Sequence, residues 1–146
     1  MQAIILAAGM GKRLKELTSN ATKCMVEVNG VTMIERTLSQ LDALNLERIV
    51  VVVGYEGKKL MEYIESLAIK TPVEYVDNDV YYKTNNIYSL YLARNYLLED
   101  DTLLLESDII LGSLRGLTLL RKNKLSKEIT NKTEPIVPIV FGSILR

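Results

Sequence analysis

Three observations on this 146-residue sequence predict an α/β fold with a mostly parallel sheet. Short, continuously apolar runs recur along the chain. Stretches with apolar residues at helical spacing separate them. Glycines follow closely on the first two of the long apolar runs. Runs buried on both faces mark parallel strands, and strand–helix alternation brings right-handed crossovers with it.

The elements follow in order. Ala3 to Leu6 is apolar throughout and ends in small residues, Ala7, Ala8 and Gly9. It reads as the first buried strand. Met25 to Val28 alternates, and Asn29-Gly30 is a hairpin signal. Thr32 with Glu35 three residues on forms a capping box. Ile34, Leu38, Leu41 and Leu44 continue a helix from it. Arg48 to Val53 is the strongest strand, closed by Gly54. Lys58 to Leu67 is helical, with Leu60, Ile64 and Leu67 on one face. Pro72 stops that helix, and Val73 to Val76 is a short strand. Asp77 to Lys83 is a polar, aromatic loop. Asn85 or Asn86 caps a helix running through Ile87, Leu90, Tyr91 and Leu97. Thr102 to Leu105 is the next buried strand, followed by Glu106-Ser107-Asp108. Leu114 to Leu125 is expected to form one more helix.

Composition removes several kinds of chemistry. Basic and acidic residues number 18 each, so bulk positive charge for nucleic acid is absent. The chain has no histidine and one cysteine. A Ser-His-Asp triad, histidine metal sites and an internal disulfide are therefore excluded. Carboxylates, lysine, arginine, backbone amides and a hard metal remain. The apolar amino terminus places its positive charges after the apolar run, unlike a secretory signal. It is also far shorter than the roughly 20 residues that span a bilayer. A cytoplasmic protein without membrane or nucleic-acid partners is expected. The balanced charge is uneven along the chain. Residues 1–108 hold 11 basic and 16 acidic groups, whereas residues 109–146 hold 7 and 2. A basic tail can bind phosphates or be an incompletely packed terminus.

Ligands of open α/β sheets bind at the carboxyl ends of the strands. Leu6-Ala7-Ala8-Gly9-Met10-Gly11-Lys12-Arg13-Leu14 leaves the first strand there. Small residues let a flat ligand approach the backbone, and glycine amides can face phosphate oxygens. Lys12 and Arg13 add charge, and Lys23 can reach the same phosphates. The pattern is neither a Walker loop nor a dinucleotide fingerprint. A purely structural glycine turn therefore stays open. Asp108, after a buried strand, can hold Mg²⁺ through oxygen or act as an ordinary cap. Strand alternation puts Glu106 on the same side as Asp108. Six of eight tyrosines lie between positions 75 and 96. Tyr81 and Tyr82 beside Asn85 and Asn86 can stack on a base, enclose a quaternary ammonium, or simply pack. Cys24, with no histidine partner, reads as a buried thiol.

These residues together resemble the nucleotidyltransferase superfamily, which has a Rossmann-like, three-layer fold. Ile5-Leu6-Ala7-Ala8-Gly9, Ile34-Glu35-Arg36-Thr37-Leu38, Val53-Gly54-Tyr55 and Asn86-Ile87-Tyr88-Ser89-Leu90 are similar to bacterial choline-phosphate cytidylyltransferases. Related enzymes act on 2-aminoethylphosphonate. The resemblance covers residues 2–111. It implies a nucleotide-binding domain over residues 1–111 and a basic tail over 112–146, with the fold incomplete at its C-terminus. It places Leu6, Ala7, Ala8, Gly9 and Gly11 against the nucleotide, with Asn86 and Ser89 lining the same site. It gives Lys23 and Arg13 to the phosphates and Asp108 to Mg²⁺. The implied reaction transfers a cytidylyl group from CTP to phosphocholine or a related phosphorylated amino-alcohol, releasing pyrophosphate. A sugar-1-phosphate nucleotidyltransferase and a non-catalytic nucleotide-binding remnant are the alternatives. Family members supply a second metal aspartate from a later region. No aspartate or tyrosine follows Leu111 here.

Overall fold

The computed structural model describes residues 1–11 and 22–108, and the backbone of 118–120. Its main sheet has five strands in the order β5-β4-β1-β6-β7. They are β1 (Gln2–Ala7), β4 (Ile49–Val53), β5 (Val73–Asp77), β6 (Thr102–Glu106) and β7 (Thr118–Leu120). β1 is central, pairing in parallel with β4 (Ile5 opposite Val51) and with β6 (Ile5 opposite Leu105). β5 extends the parallel sheet beyond β4. β7 runs antiparallel to β6. That strand corrects the helix expected over Leu114 to Leu125. Thr118 to Leu120 instead pairs with the edge of β6, because an uncovered strand edge leaves backbone groups without partners.

Alternation along the central strands divides the core into two layers. Ala3, Ile5 and Ala7 of β1 join Ile49, Val51 and Val53 of β4 on one face. That face is covered by Ile34, Leu38 and Leu41 of α1 (Met33–Asp42) and by Leu60 and Ile64 of α2 (Gly57–Ser66). Ile4, Leu6, Val50 and Val52 point the other way. They meet Leu90 of α3 (Asn86–Leu92), Leu97 of α4 (Arg94–Glu99), and Ala93 between the two helices. The predicted α/β, three-layer, mostly parallel architecture is therefore the observed one.

Local chemistry explains the connections. Asn29 and Gly30 both have positive φ (55° and 77°), the requirement of a tight hairpin turn. They join β2 (Glu27–Val28) to β3 (Val31–Thr32). Thr32 Oγ1 accepts the Glu35 amide at 3.1 Å and caps α1. The Glu35 carboxylate accepts the Tyr63 hydroxyl at 2.9 Å, linking α1 to α2. Met25 ends a short 3₁₀ turn (Lys23–Met25) rather than opening a strand. The helix expected through Leu97 breaks at Ala93, where ψ is 8°. Arg94 donates to the Tyr91 carbonyl at 3.0 Å, which also accepts the Ala93 amide at the break.

Candidate functional site

β1 delivers Leu6, Ala7 and Ala8, all buried, to the carboxyl end of the sheet. There the chain emerges at Gly9, which is exposed. Gly11 has φ 61°, a conformation that favours glycine. A side chain at Gly9 would meet nothing within 4 Å. Two neighbours fix the exit of β1. The Ser107 amide donates to the Leu6 carbonyl at 3.2 Å, and the Tyr55 amide to the Ala8 carbonyl at 3.2 Å. Gly54 is the close approach in this region. A Cβ there would lie 2.9 Å from both the Ala8 carbonyl oxygen and Tyr81 Cβ.

Lys23 and Asp108, 85 positions apart, form an ion pair. The 3₁₀ turn holds Lys23, anchored by Cys24 in the α1/α2 layer of the core. The Cys24 thiol lies 3.0 Å from Thr22 Oγ1, and burial pushes its pKa up to about 11. It is thus an inert thiol. Glu106 and Asp108, which the alternation argument put on one side, take different partners. The strand ends at Glu106 and a turn follows, so the two-residue period stops one position too early. Asp108 turns to Lys23, while Glu106 accepts from Asn86 Nδ2 at 2.9 Å.

The segment before α3 divides its work among neighbouring residues. Asn85 is the cap, its Oδ1 accepting the Ile87 and Tyr88 amides. Asn86 is exposed and bonded to Glu106. Ser89 is buried, and its hydroxyl accepts from Asn78 Nδ2 at 3.1 Å. Asn78 also donates to Thr84 Oγ1 and accepts from the Val80 amide. Its own amide bonds the Val53 carbonyl at 2.8 Å. Ser89 therefore belongs to the network that shapes the 78–84 loop. Asn78 is the residue that sequence reading overlooked, and Gly54, read there only as a strand end, is also the close approach to Ala8 and Tyr81. An asparagine straight after a short strand was the signal for Asn78.

The aromatic loop is packed in part. Tyr81 is half-buried and meets Tyr55 and Tyr82 edge to face at 6.1 and 5.7 Å. Tyr82 is exposed, with Lys83 Nζ 5.3 Å from its ring centre. Tyr88 and Tyr91 pair on α3 at 6.0 Å. Arg13 lies outside the described residues.

Among the described residues no group of three His, Cys, Asp or Glu side chains could enclose a metal ion. A single carboxylate next to a lysine suits a divalent cation that arrives with substrate phosphates and keeps its waters, as Mg²⁺ does. Asp108 meets that requirement; a closed protein cage is not what it offers. No helix among the described residues is long and apolar enough to cross a membrane.

A parallel sheet with a glycine loop leaving its central strand, and a lysine–aspartate pair at the same end, defines a nucleotidyltransferase-type α/β domain. Residues 3–124 match the MobA-like NTP transferase domain family, and the chain belongs to it. It is 35% identical over 133 residues to a choline-phosphate cytidylyltransferase of Haemophilus influenzae, covering 91% of this chain and 54% of that protein. It is 40% identical over 111 residues to a 2-aminoethylphosphonate cytidylyltransferase of Lancefieldella rimae, covering 75% and 44%. The solved CTP:phosphocholine cytidylyltransferase of Streptococcus pneumoniae superposes with a TM-score of 0.63 at 36% identity, over 73% of this chain and 44% of that one. The chain spans about half the length of these relatives.

Proposed function

We propose that this chain carries the nucleotide-activating part of a cytidylyltransferase, acting on CTP and phosphocholine or a related phosphorylated amino-alcohol or phosphonate. The observation that carries the reading is the meeting of Lys23 with Asp108 at the carboxyl end of the sheet. A cation for phosphates and a carboxylate for a hard metal then stand at one place.

The chemistry asks for little more. An oxygen of the acceptor phosphate attacks the α-phosphorus of CTP. The bond from that phosphorus to its bridging oxygen breaks, and pyrophosphate leaves with the electron pair. The acceptor oxygen is already anionic near pH 7, since the second phosphate pKa is about 6. No general base is needed, which suits a chain without histidine. The task is to align two anions and offset their charge. Gly9 and Gly11 offer backbone amides to the triphosphate, and Ala7 and Ala8 leave room for the base. Lys23 and Arg13 neutralise phosphate oxygens. Asp108 would hold Mg²⁺, which supplies Lewis-acid charge neutralisation at the phosphates when bound. Lys23 and Asp108 must exchange each other for these ligands when substrate enters.

The test is pyrophosphate release from CTP with Mg²⁺ and, in separate reactions, phosphocholine, 2-aminoethylphosphonate and glucose-1-phosphate. Release with either of the first two is expected. Release only with glucose-1-phosphate replaces the acceptor class. CTP binding by calorimetry without release from any acceptor leaves a nucleotide-binding module instead of an enzyme.

A further inference from the structure

The contact between Asn86 and Glu106 has no part in the phosphate chemistry, yet it sits at the same end of the sheet. Asn86 opens α3, whose Leu90 packs on Leu6 and Ala8. Glu106 closes β6 directly opposite Leu6 of β1. Both side chains are exposed. The hydrogen bond at 2.9 Å has only one possible polarity. An ionised carboxylate accepts and never donates, so the amide nitrogen of Asn86 must face Glu106. The carbonyl oxygen of Asn86 and the second N–H are then presented in one fixed order.

That order matters for a pyrimidine. Cytosine offers a donor at its 4-amino group beside an acceptor at N3. Uracil offers the reverse, an acceptor at O4 beside a donor at N3. A side-chain amide can read either pair with two bonds, but only by turning over between them. We propose that Glu106 is a positioning residue for base selection: by preventing Asn86 from turning over, it commits the site to cytosine over uracil. This rests on the CTP reading above and names the residue pair that enforces it. A uracil nucleotide would set acceptor against acceptor and donor against donor, a mismatch that hydrogen-bonding sites reject strongly.

Glu106→Gln is the sharp test, because a glutamine can accept from Asn86 or donate to it. The hydrogen bond survives in this variant while its enforced direction is lost. Calorimetric binding of CTP and of UTP, each with Mg²⁺, is measured on the full chain and on Glu106→Gln and Glu106→Ala. The unmodified chain is expected to favour CTP by about tenfold or more, the scale of one two-bond base contact. Both variants should bring the two affinities within about threefold, with Glu106→Gln doing so mainly by tighter UTP binding. A merely structural role for Glu106 would weaken both nucleotides alike and keep their ratio. An unchanged ratio in Glu106→Gln, or equal affinities in the unmodified chain, overturns the base-selection role and leaves the nucleotide site intact. Absence of binding by either nucleotide to the unmodified chain overturns that reading and this inference together.

Discussion

At the amino ends of the parallel strands, six side chains bond into one network; at the carboxyl ends, Lys23 with Asp108 and Asn86 with Glu106 form pairs around a glycine loop. The amino-end network centres on Gln2, which is fully buried. Its amide nitrogen donates to Thr102 Oγ1 at 3.0 Å and to the Tyr96 carbonyl. Its oxygen accepts from Arg48 Nε at 2.8 Å. Arg48 also pairs with Glu74 and Glu99 and lies 5.0 Å from the ring centre of Tyr96. The Tyr96 hydroxyl donates to Glu74 at 2.9 Å. Gln2 and Thr102 are buried, and buried polar groups that satisfy one another in this way specify a structure. At the other end, the half-exposed Lys23–Asp108 pair can exchange partners for a ligand. The same sheet thus keeps a structural network at one end and an exchangeable ion pair at the other.

The largest expected effect breaks the exchangeable end. Asp108→Asn and Lys23→Ala should each lower pyrophosphate release by about 10²- to 10³-fold, the scale of one electrostatic stabiliser. Their urea midpoints should stay close to that of the parent, because the pair they remove is half-exposed. The opposite pattern belongs to the amino end. Gln2→Ala should cost about 1–3 kcal/mol in urea denaturation, since it removes a fully buried amide that bonds Thr102, the Tyr96 carbonyl and Arg48 Nε. CTP affinity of the folded variant should not change. A loss of affinity without a loss of stability would show that the two ends are coupled.

Gly54→Ala tests the boundary between them. Its new Cβ would press on Ala8 and Tyr81, at a cost of about 1–3 kcal/mol, and weaken nucleotide binding through the displaced loop. A smaller effect concerns Asp42, which accepts from the Thr71 hydroxyl and from the Thr71 and Lys70 amides. The hydrogen bond from the Thr71 hydroxyl is the main reason its pKa falls below the ordinary 3.8. Its contribution to stability is full above the unfolded value and lost as pH falls through the lower folded one. Asp42→Asn should therefore flatten the acid limb of a stability–pH curve below about pH 4 and change little at neutrality. The smallest effect is chemical. Cys24, with its pKa at about 11, should resist a disulfide reagent at pH 8 until denaturant is added.

The strands were legible because they are buried on both faces and therefore continuously apolar, as Ile49 to Val53 shows. The Asn29-Gly30 turn and the Thr32 cap were legible because their chemistry is local. Gln2 was not, because its partners Arg48 and Thr102 are 46 and 100 positions away. Lys23 and Asp108 could be nominated singly, but only the fold brings them together. The partner of Asp108 was not legible from alternation because the strand ends before it, and strand ends are set by pairing rather than by pattern. Thr118 to Leu120 was read as part of a helix, since short apolar runs do not separate the two states until an open sheet edge claims one.

β1 is flanked by hydrogen-bonded neighbours on both sides and covered by helices on both faces. Amide protons of Ile4 and Ile5 should then exchange with solvent only when the whole domain opens. The glycine loop is thus suspended from the part of the chain that opens last. Nucleotide binding therefore does not have to supply the free energy of organising the strand that precedes it.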